Sequence, residues 1–539
     1  SCGTDVNWPN NKMVGYRWLF VLLLALTPAA WGANILGLFS SHSQSHLILH
    51  MSMMKALAEE GHNITVVSML KPTVMHKAIH LIVVPASDEK ERIMENQMTE
   101  MAGQKNSIVD TMFRLLNGMS AMIESQVDVL LDPRFQRIYE TKFDLMFMGF
   151  FMNDFQLGVA HKLQVPVIVA WMQAPMFVID DYVGNPSEIS YVPLMGTSLK
   201  RGERMGFSKR LENFVKNALF RGLGTIFNSR SARYYDQLFA SEPNMPSIEQ
   251  MRRNVSMVFT NCHLVSEGPV RPLVPANAEI GGIQIKEKPD PLPEDIALFL
   301  DGADHGAVLL SLGSNIKGTA VKPELVQSMF KVLSSLKQRV VWKWEDLDKT
   351  PGKSANILYK KWLPQDDILA HPKTKLFITH AGKGGITEAQ YHGVPMVALP
   401  VFGDQPTNAD NMQQSGYGIA QDLLQLTEDN FRASIQEVLG NGKYKAAIGR
   451  FSQLYRDRPL SARQTVIYWT DYVLRHHGAP HLQSSSVQMH WVAYYNLDLY
   501  ALLATVLTLL LLLNFLIGRF VFRKLTAKSK KANKKAKKH

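Results

Sequence analysis

Residues 34–69 alternate in a way that few folds accommodate. Asn34-Ile-Leu-Gly-Leu-Phe39 is an apolar run of strand length, and residues 40–45 are polar. Residues 47–60 then carry Leu47, Met51, Met54 and Leu57 at i, i+4, i+7 and i+10, one apolar stripe of a helix. Gly61-His62 stops the helix, and residues 64–69 return as a second apolar run. Strands joined through a helix in this way lie parallel, because parallel neighbours need a crossover and not a tight hairpin. The pattern predicts an α/β chain. Apolar runs at 81–85, 145–147 and 165–170, with helical pattern between them, extend it into a doubly wound sheet.

Near residue 281 the composition shifts. Lys286-Glu-Lys-Pro-Asp-Pro-Leu-Pro293 has three prolines in eight residues and reads as a linker. A second alternation follows, with strands at 307–312, 340–343, 357–359, 376–379 and 395–399 and a helix at 323–336. Two Rossmann-like halves with a cleft between them are therefore expected, and open parallel sheets take ligands at the carboxyl ends of their strands. Residues 450–476 read as one amphipathic helix returning to the first half. A chain of 539 residues exceeds one hydrophobic core, and 46% hydrophobic with 19% charged residues excludes general disorder.

The ends carry a different message. Met13, Arg17, an apolar run at 18–26 and Ala30-Trp31-Gly32 have the layout of a secretory signal peptide over residues 13–32, with residues 1–12 upstream of the start. Residues 499–518 hold no charge and span about 30 Å as a helix, the thickness of a bilayer core. Tyr494, Tyr495 and Tyr500 stand at its entry side. Ten Lys or Arg and no acid follow it, so the net charge of +11 belongs almost wholly to the tail. This argues against a nucleic-acid partner and for a cytosolic tail beneath a lumenal body. Lys535 and Lys537, five and three from the end, resemble a dilysine retrieval signal of the endoplasmic reticulum; a generic stop-transfer tail fits the composition equally. One cysteine, Cys262, remains after the leader, so no internal disulfide is expected. Asn63-Ile-Thr and Asn254-Val-Ser are glycan acceptor sequons, Asn254 the better placed.

Residues 376–379 run as a strand into His380-Ala-Gly-Lys-Gly-Gly385 and then a helix bearing Glu388. Glycines between strand and helix leave backbone N–H groups free at a helix N-terminus, which suits a diphosphate. The longer string Phe377-Ile-Thr-His-Ala-Gly-Lys-Gly-Gly-Ile-Thr-Glu388, followed by Pro395-Met-Val, Pro400 and Asp404-Gln405, resembles the signature of the UDP-glycosyltransferases. Trp362-Leu-Pro-Gln365 agrees with it, and the opening strand, loop and helix are most similar to the insect branch. The resemblance covers essentially the whole mature chain. It implies a GT-B fold: an acceptor-binding half (33–285), a linker (286–295), a UDP-sugar-binding half (296–448), helices packing back (449–498), a membrane helix (499–518) and a basic tail (519–539).

It also implies roles. Trp362 stacks on uracil with Gln365 at its edge; Ser314, His380, Gly382, Gly384 and Gly385 face the diphosphate; Glu388 accepts the ribose hydroxyls; Asp404 and Gln405 hold the transferred sugar. The general base falls sixteen residues before His62, at His46, ahead of His42 and His50. Its orienting acid falls at Gly149 or Phe150, neither acidic, and Asp154 is the nearest carboxylate downstream. Lys383 and Gly384 depart from the common pattern. Asp346-Leu-Asp348 is too short a match to assign a metal, and no prosthetic group is implied. The expected reaction moves a hexose from UDP-glucose, with UDP-glucuronate open, to a hydroxyl of a small lipophilic acceptor, inverting, in the endoplasmic reticulum membrane. Methionines and aromatics around 143–152 and 171–177 would line an adaptable acceptor pocket. Self-association into a homo-oligomer stays open. The rival readings are a non-catalytic UDP-sugar or lipophile-binding membrane protein of the same fold and, from another class, a sugar-nucleotide epimerase.

Overall fold

The computed structural model describes residues 32–103, 108–194, 197, 199, 203–266, 269–314 and 317–536. The leader expected at 13–32 lies outside them but for Gly32.

The first half is a seven-stranded parallel sheet in the order β3-β2-β1-β4-β5-β6-β7. Its strands are β1 (Asn34–Phe39), β2 (Asn63–Ser68), β3 (Ile79–Val83), β4 (Leu145–Gly149), β5 (Val167–Trp171), β6 (Met257–Thr260) and β7 (Asn277–Glu279). The second is a six-stranded parallel sheet, β10-β9-β8-β11-β12-β13. It comprises β8 (Ala307–Ser311), β9 (Arg339–Lys343), β10 (Ile357–Lys360), β11 (Thr374–Thr379), β12 (Met396–Ala398) and β13 (Gly418–Ala420). Both sheets carry buried apolar residues on two faces, which is why their central strands are mostly apolar. Alternate side chains serve opposite layers. Leu36 and Leu38 of β1 join one core and Ile35 and Phe39 the other, while Val308 and Leu310 of β8 face away from Ala307 and Leu309.

In each sheet the chain reverses its winding beside the first strand, between β1 and β4 and between β8 and β11. Loops leaving such neighbours diverge and open a crevice. Of the residues assigned above to chemistry, His46, Asp154, Ser314 and the 380–388 segment follow these four strands, while Trp362 and Gln365 follow β10 and Asp404 and Gln405 follow β12.

The linker is pinned to the second half. Asp366 accepts the Lys286 backbone N–H at 3.0 Å, and Asp367 accepts Lys286 Nζ at 2.6 Å and the Asp290 N–H at 2.8 Å. The segment read as one helix over 450–476 is two, Gly442–Arg456 and Ala462–Arg475. Pro459 lies in the break, where it cannot continue a helix. Phe451 and Tyr455 of the former pack in the second half, and Val466 and Val473 of the latter pack under the first sheet. Arg458 caps the carbonyls of Gly281 and Glu279 at 3.1 and 3.0 Å. Thus the chain returns to the first half after completing the second.

From Ser484 onward the chain is a separate unit. Its main element is the helix Leu497–Ala536, whose stretch Leu497–Lys530 is long and apolar enough to cross a membrane.

Candidate active site

At the end of β11 the backbone enters a tight turn. Ala381 is left-handed (φ 62°), with its N–H held by Thr379 Oγ1 at 3.2 Å. A non-glycine residue there stores strain of the kind found around functional loops. Gly382 then caps the ten-residue helix Lys383–His392 without a side-chain partner, so its first N–H groups point outward. His380 is wedged between two glycines: a Cβ on Gly313, in the turn after β8, or on Gly382 would collide with its ring. Burial, helped by Lys343, lowers His380 to about 4, so it is a neutral imidazole. Ser314 adjoins Gly313. These residues therefore form one group at the β8–β11 crevice. Gly384 differs from its neighbours, since a Cβ there would meet only Gln284 Nε2 at 3.9 Å. Nothing among the described residues demands glycine at 384, whereas a ligand approaching the helix N-terminus would.

The second group is built on Glu388. Its Oε2 accepts Gln365 Nε2 at 2.6 Å, and its Oε1 accepts Gln284 Nε2 at 3.4 Å. Burial first, and Asp366 second, raise Glu388 to about 8. Gln365 opens its own helix, Gln365–Ala370, and Gly385 lets that side chain approach, a Cβ there falling 3.3 Å from Gln365 Nε2. Trp362, three residues earlier, is 46% exposed. A large indole left half in water, rather than in the core where tryptophan usually sits, presents an apolar face to solvent.

Asp404 and Gln405 form a third group at the start of the helix Gln405–Gln414. Asn408 Nδ2 bonds Asp404 Oδ2 at 2.7 Å and the Ala381 carbonyl at 3.0 Å, tying this helix to the β11 turn. Gln405 Oε1 accepts the N–H groups of Val401 and Phe402 at 2.9 and 3.1 Å. Lys383 is buried at the helix start, and burial lowers it to about 8 against the opposing pull of Cys262 and Asp404. Its Nζ reaches Ser266 Oγ of the first half at 3.4 Å. With Gln284, it makes the two halves meet at the glycine-rich turn.

On the first half, Ser43 caps the helix Gln44–Glu59 and places His46 in its first turn. The His46 ring meets the edge of Phe151, centroids 5.5 Å apart. Burial alone lowers it to about 4, so it too is neutral. Asp154 is engaged elsewhere: its Oδ1 accepts Ser231 Oγ, and its Oδ2 accepts Arg252 Nε at 2.7 Å and Tyr182 at 3.4 Å. No hydrogen bond joins it to His46 among the described residues. Most of the aromatics and methionines at 143–152 and 171–177 are core; Phe147, Met148 and Met172 are fully buried, and only Phe151, Met152 and Met176 among their apolar side chains remain half-buried.

Gln284 and Asn408 were not anticipated. Asn408 stands at i+4 from Asp404, a spacing that flags a partner on a helix face; Gln284 carries no sequence signal, being brought to Glu388 only by the folding of the halves.

Comparison with known proteins agrees with this geometry. The family model for UDP-glucoronosyl and UDP-glucosyl transferase matches residues 37–532. UDP-glucosyltransferase 2 of Dactylopius coccus is 32% identical over 494 residues, 90% of this chain and 92% of that one. UDP-glycosyltransferase UGT5 of the same insect is 33% identical, covering 92% and 93%. UDP-glucuronosyltransferase 1A6 of Mus musculus is 34% identical over 68% of each chain. Among solved structures, a UDP-glucosyltransferase from Polygonum tinctorium superposes with a TM-score of 0.55 at 15% identity, over 83% of this chain and 100% of that one, which shows a shared fold. A GT-B pair of parallel sheets, a glycine-rich helix start joined to Gln365 through Glu388 and a match along almost the whole sequence lead to one conclusion: the chain belongs to the UDP-glucuronosyl and UDP-glucosyl transferase family and is a UDP-sugar-dependent glycosyltransferase.

Proposed function

We propose that this enzyme transfers glucose from UDP-glucose to the hydroxyl of a small lipophilic acceptor, by single displacement with inversion, and that His46 is the base. The observation that carries the donor assignment is the Gln365–Glu388 bond next to a half-exposed Trp362. Uracil stacks on Trp362 with its edge at Gln365, and Glu388 accepts the ribose hydroxyls. Ser314, neutral His380 and the N–H groups of residues 383–385 receive the diphosphate, where fixed donors stabilise the charge of the leaving group. Asp404 and Gln405 hold the sugar. Lys383 adds a cation at the same helix start.

On the acceptor side, a neutral imidazole takes the hydroxyl proton as the oxygen attacks the anomeric carbon. The half-buried Phe151, Met152 and Met176 supply the apolar wall. Glucosyl naming of the Dactylopius relative favours UDP-glucose over UDP-glucuronate. The leader, the C-terminal helix and the basic tail support a type I protein of the endoplasmic reticulum membrane with a lumenal catalytic body. Asn254, exposed just after the helix Ile248–Arg253, is the preferred glycan site; Asn63, also exposed, has its amide bonded to Asn34 at 3.1 Å.

Microsomes bearing the chain, given labelled UDP-glucose or UDP-glucuronate with a panel of phenols and steroids, test the reading. Glucoside formation is expected. UDP binding without turnover on either donor would instead favour a non-catalytic binding protein.

A further inference from the structure

Gly149, the last residue of β4, has no space of its own. A Cβ there would lie 2.6 Å from His50 Cε1, 3.0 Å from His50 Nε2 and 2.9 Å from Phe39 Cδ1. The His50 ring therefore fills the volume into which any side chain at 149 would project. It stacks on Phe39 with centroids 4.4 Å and planes 7° apart. It is 1% exposed, and neither ring nitrogen has a hydrogen-bond partner. Buried polar groups are almost always satisfied, so an imidazole orphaned at both nitrogens marks a site with a task.

His50 follows His46 by four residues on one helix, so both rings share a face. They are close enough for His46 to lower His50 electrostatically, after burial; the nearby Ala170 carbonyl opposes this without reaching hydrogen-bond geometry. A catalytic imidazole is ordinarily oriented by a third group. His46 has no carboxylate for this, since burial alone shifts it and Asp154 is held by Arg252 and Ser231. Phe39, Gly149, Phe151 and the Ala170 carbonyl lie against the pair, and none of them is ionisable.

We propose, building on the assignment of His46 as base, that His50 is its positioning residue, accepting the N–H of His46 from the space an orienting carboxylate would otherwise take. In the transfer step the acceptor oxygen bonds the anomeric carbon, the bond to the diphosphate breaks with its electron pair leaving on UDP, and the hydroxyl proton ends on one nitrogen of His46. The two rings are not hydrogen-bonded directly in this structure, so His50 holds the other nitrogen through one water. A neutral partner fixes the ring but does not neutralise the imidazolium that forms. Transfer is therefore confined to hydroxyls that release their proton readily: phenols in preference to aliphatic alcohols.

The test uses the full chain in detergent micelles with UDP-glucose and two acceptors, 4-nitrophenol and cyclohexanol. His50→Ala should lower kcat about tenfold or more with KM for UDP-glucose unchanged, and His50→Asn should recover part of it through its amide oxygen. In the pair His50→Ala with Gly149→Asp, a carboxylate enters the vacated volume, and the Phe39 ring, 2.9 Å from the new Cβ, has to move aside. The kcat ratio of cyclohexanol to 4-nitrophenol should then rise about tenfold over wild type. UDP affinity and melting temperature, measured on each variant, identify any that fail to fold; the remaining folded variants then decide. A folded His50→Ala enzyme within twofold of wild type on both acceptors overturns the proposal, as does an unchanged ratio in the folded double variant. His46→Ala with full activity overturns it by a distinguishable route, through the base itself.

Discussion

Replacing Trp362 by alanine separates recognition from stability. The indole is 46% exposed and has no aromatic partner among the described residues, so its contacts within the chain are modest. Half-burial of a side chain this size contributes about 1–1.5 kcal/mol to folding, too little for its loss to unfold the body. Stacking of a base on an aromatic ring is worth about 1–3 kcal/mol. At 1.4 kcal/mol per factor of ten, UDP should bind about 5- to 150-fold more weakly to Trp362→Ala. Trp362→Phe, which keeps a flat face, should lose much less. Calorimetric titration of UDP into the purified chain, well below its melting temperature, reads this directly. A folded Trp362→Ala protein whose UDP dissociation constant stays within twofold of wild type would refute the stacking argument.

Other consequences follow from named contacts. Glu388 is raised to about 8 when folded, above its ordinary carboxyl range, so the folded chain keeps a proton that the unfolded chain gives up. Its contribution is therefore fully favourable at pH below the unfolded value and is lost as pH rises toward 8. Melting temperature against pH for the ligand-free chain should fall less steeply in Glu388→Gln, and parallel profiles would contradict this. Asp154→Ala leaves the partly buried Arg252 with only the exposed Glu249 as a carboxylate partner and should cost about 1–3 kcal/mol of stability by denaturant titration. An unchanged midpoint would show that the Asp154 cluster does not brace the fold. A chain ending at Gln483 should leave the membrane fraction yet bind UDP, which fractionation and titration together check.

Much of the fold is legible because buried parallel strands are apolar end to end. Asn34–Phe39 can be read to the residue, and the order of strands and helices after the linker to within a residue or two at each end. The short edge strands β7 and β13 escape notice for the opposite reason. Asn277-Ala-Glu279 and Gly418-Ile-Ala420 are edge segments of three residues, with too little pattern to mark a strand. On the donor side, Ser314, the 380–388 segment and Asp404-Gln405 gather because they follow the adjacent strands β8, β11 and β12, whereas Gln365 follows the edge strand β10 and reaches Glu388 through its side chain. The acceptor side is less legible. Whether Asp154 faces His46 depends on Arg252 and Ser231, 98 and 77 residues away in sequence. Likewise Gly149 shows only that an acid is missing, and its space is seen to be taken only when His50 is placed against it.

The central claim is that the chain moves a sugar from a UDP-sugar with His46 taking the acceptor proton. The most direct measurement is single-turnover transfer from labelled UDP-glucose to a phenol, in wild type and His46→Ala, with UDP affinity measured in parallel. The account predicts product from the wild type, a loss of about a hundredfold or more in the variant, and equal UDP binding by both. Full turnover by His46→Ala would contradict it.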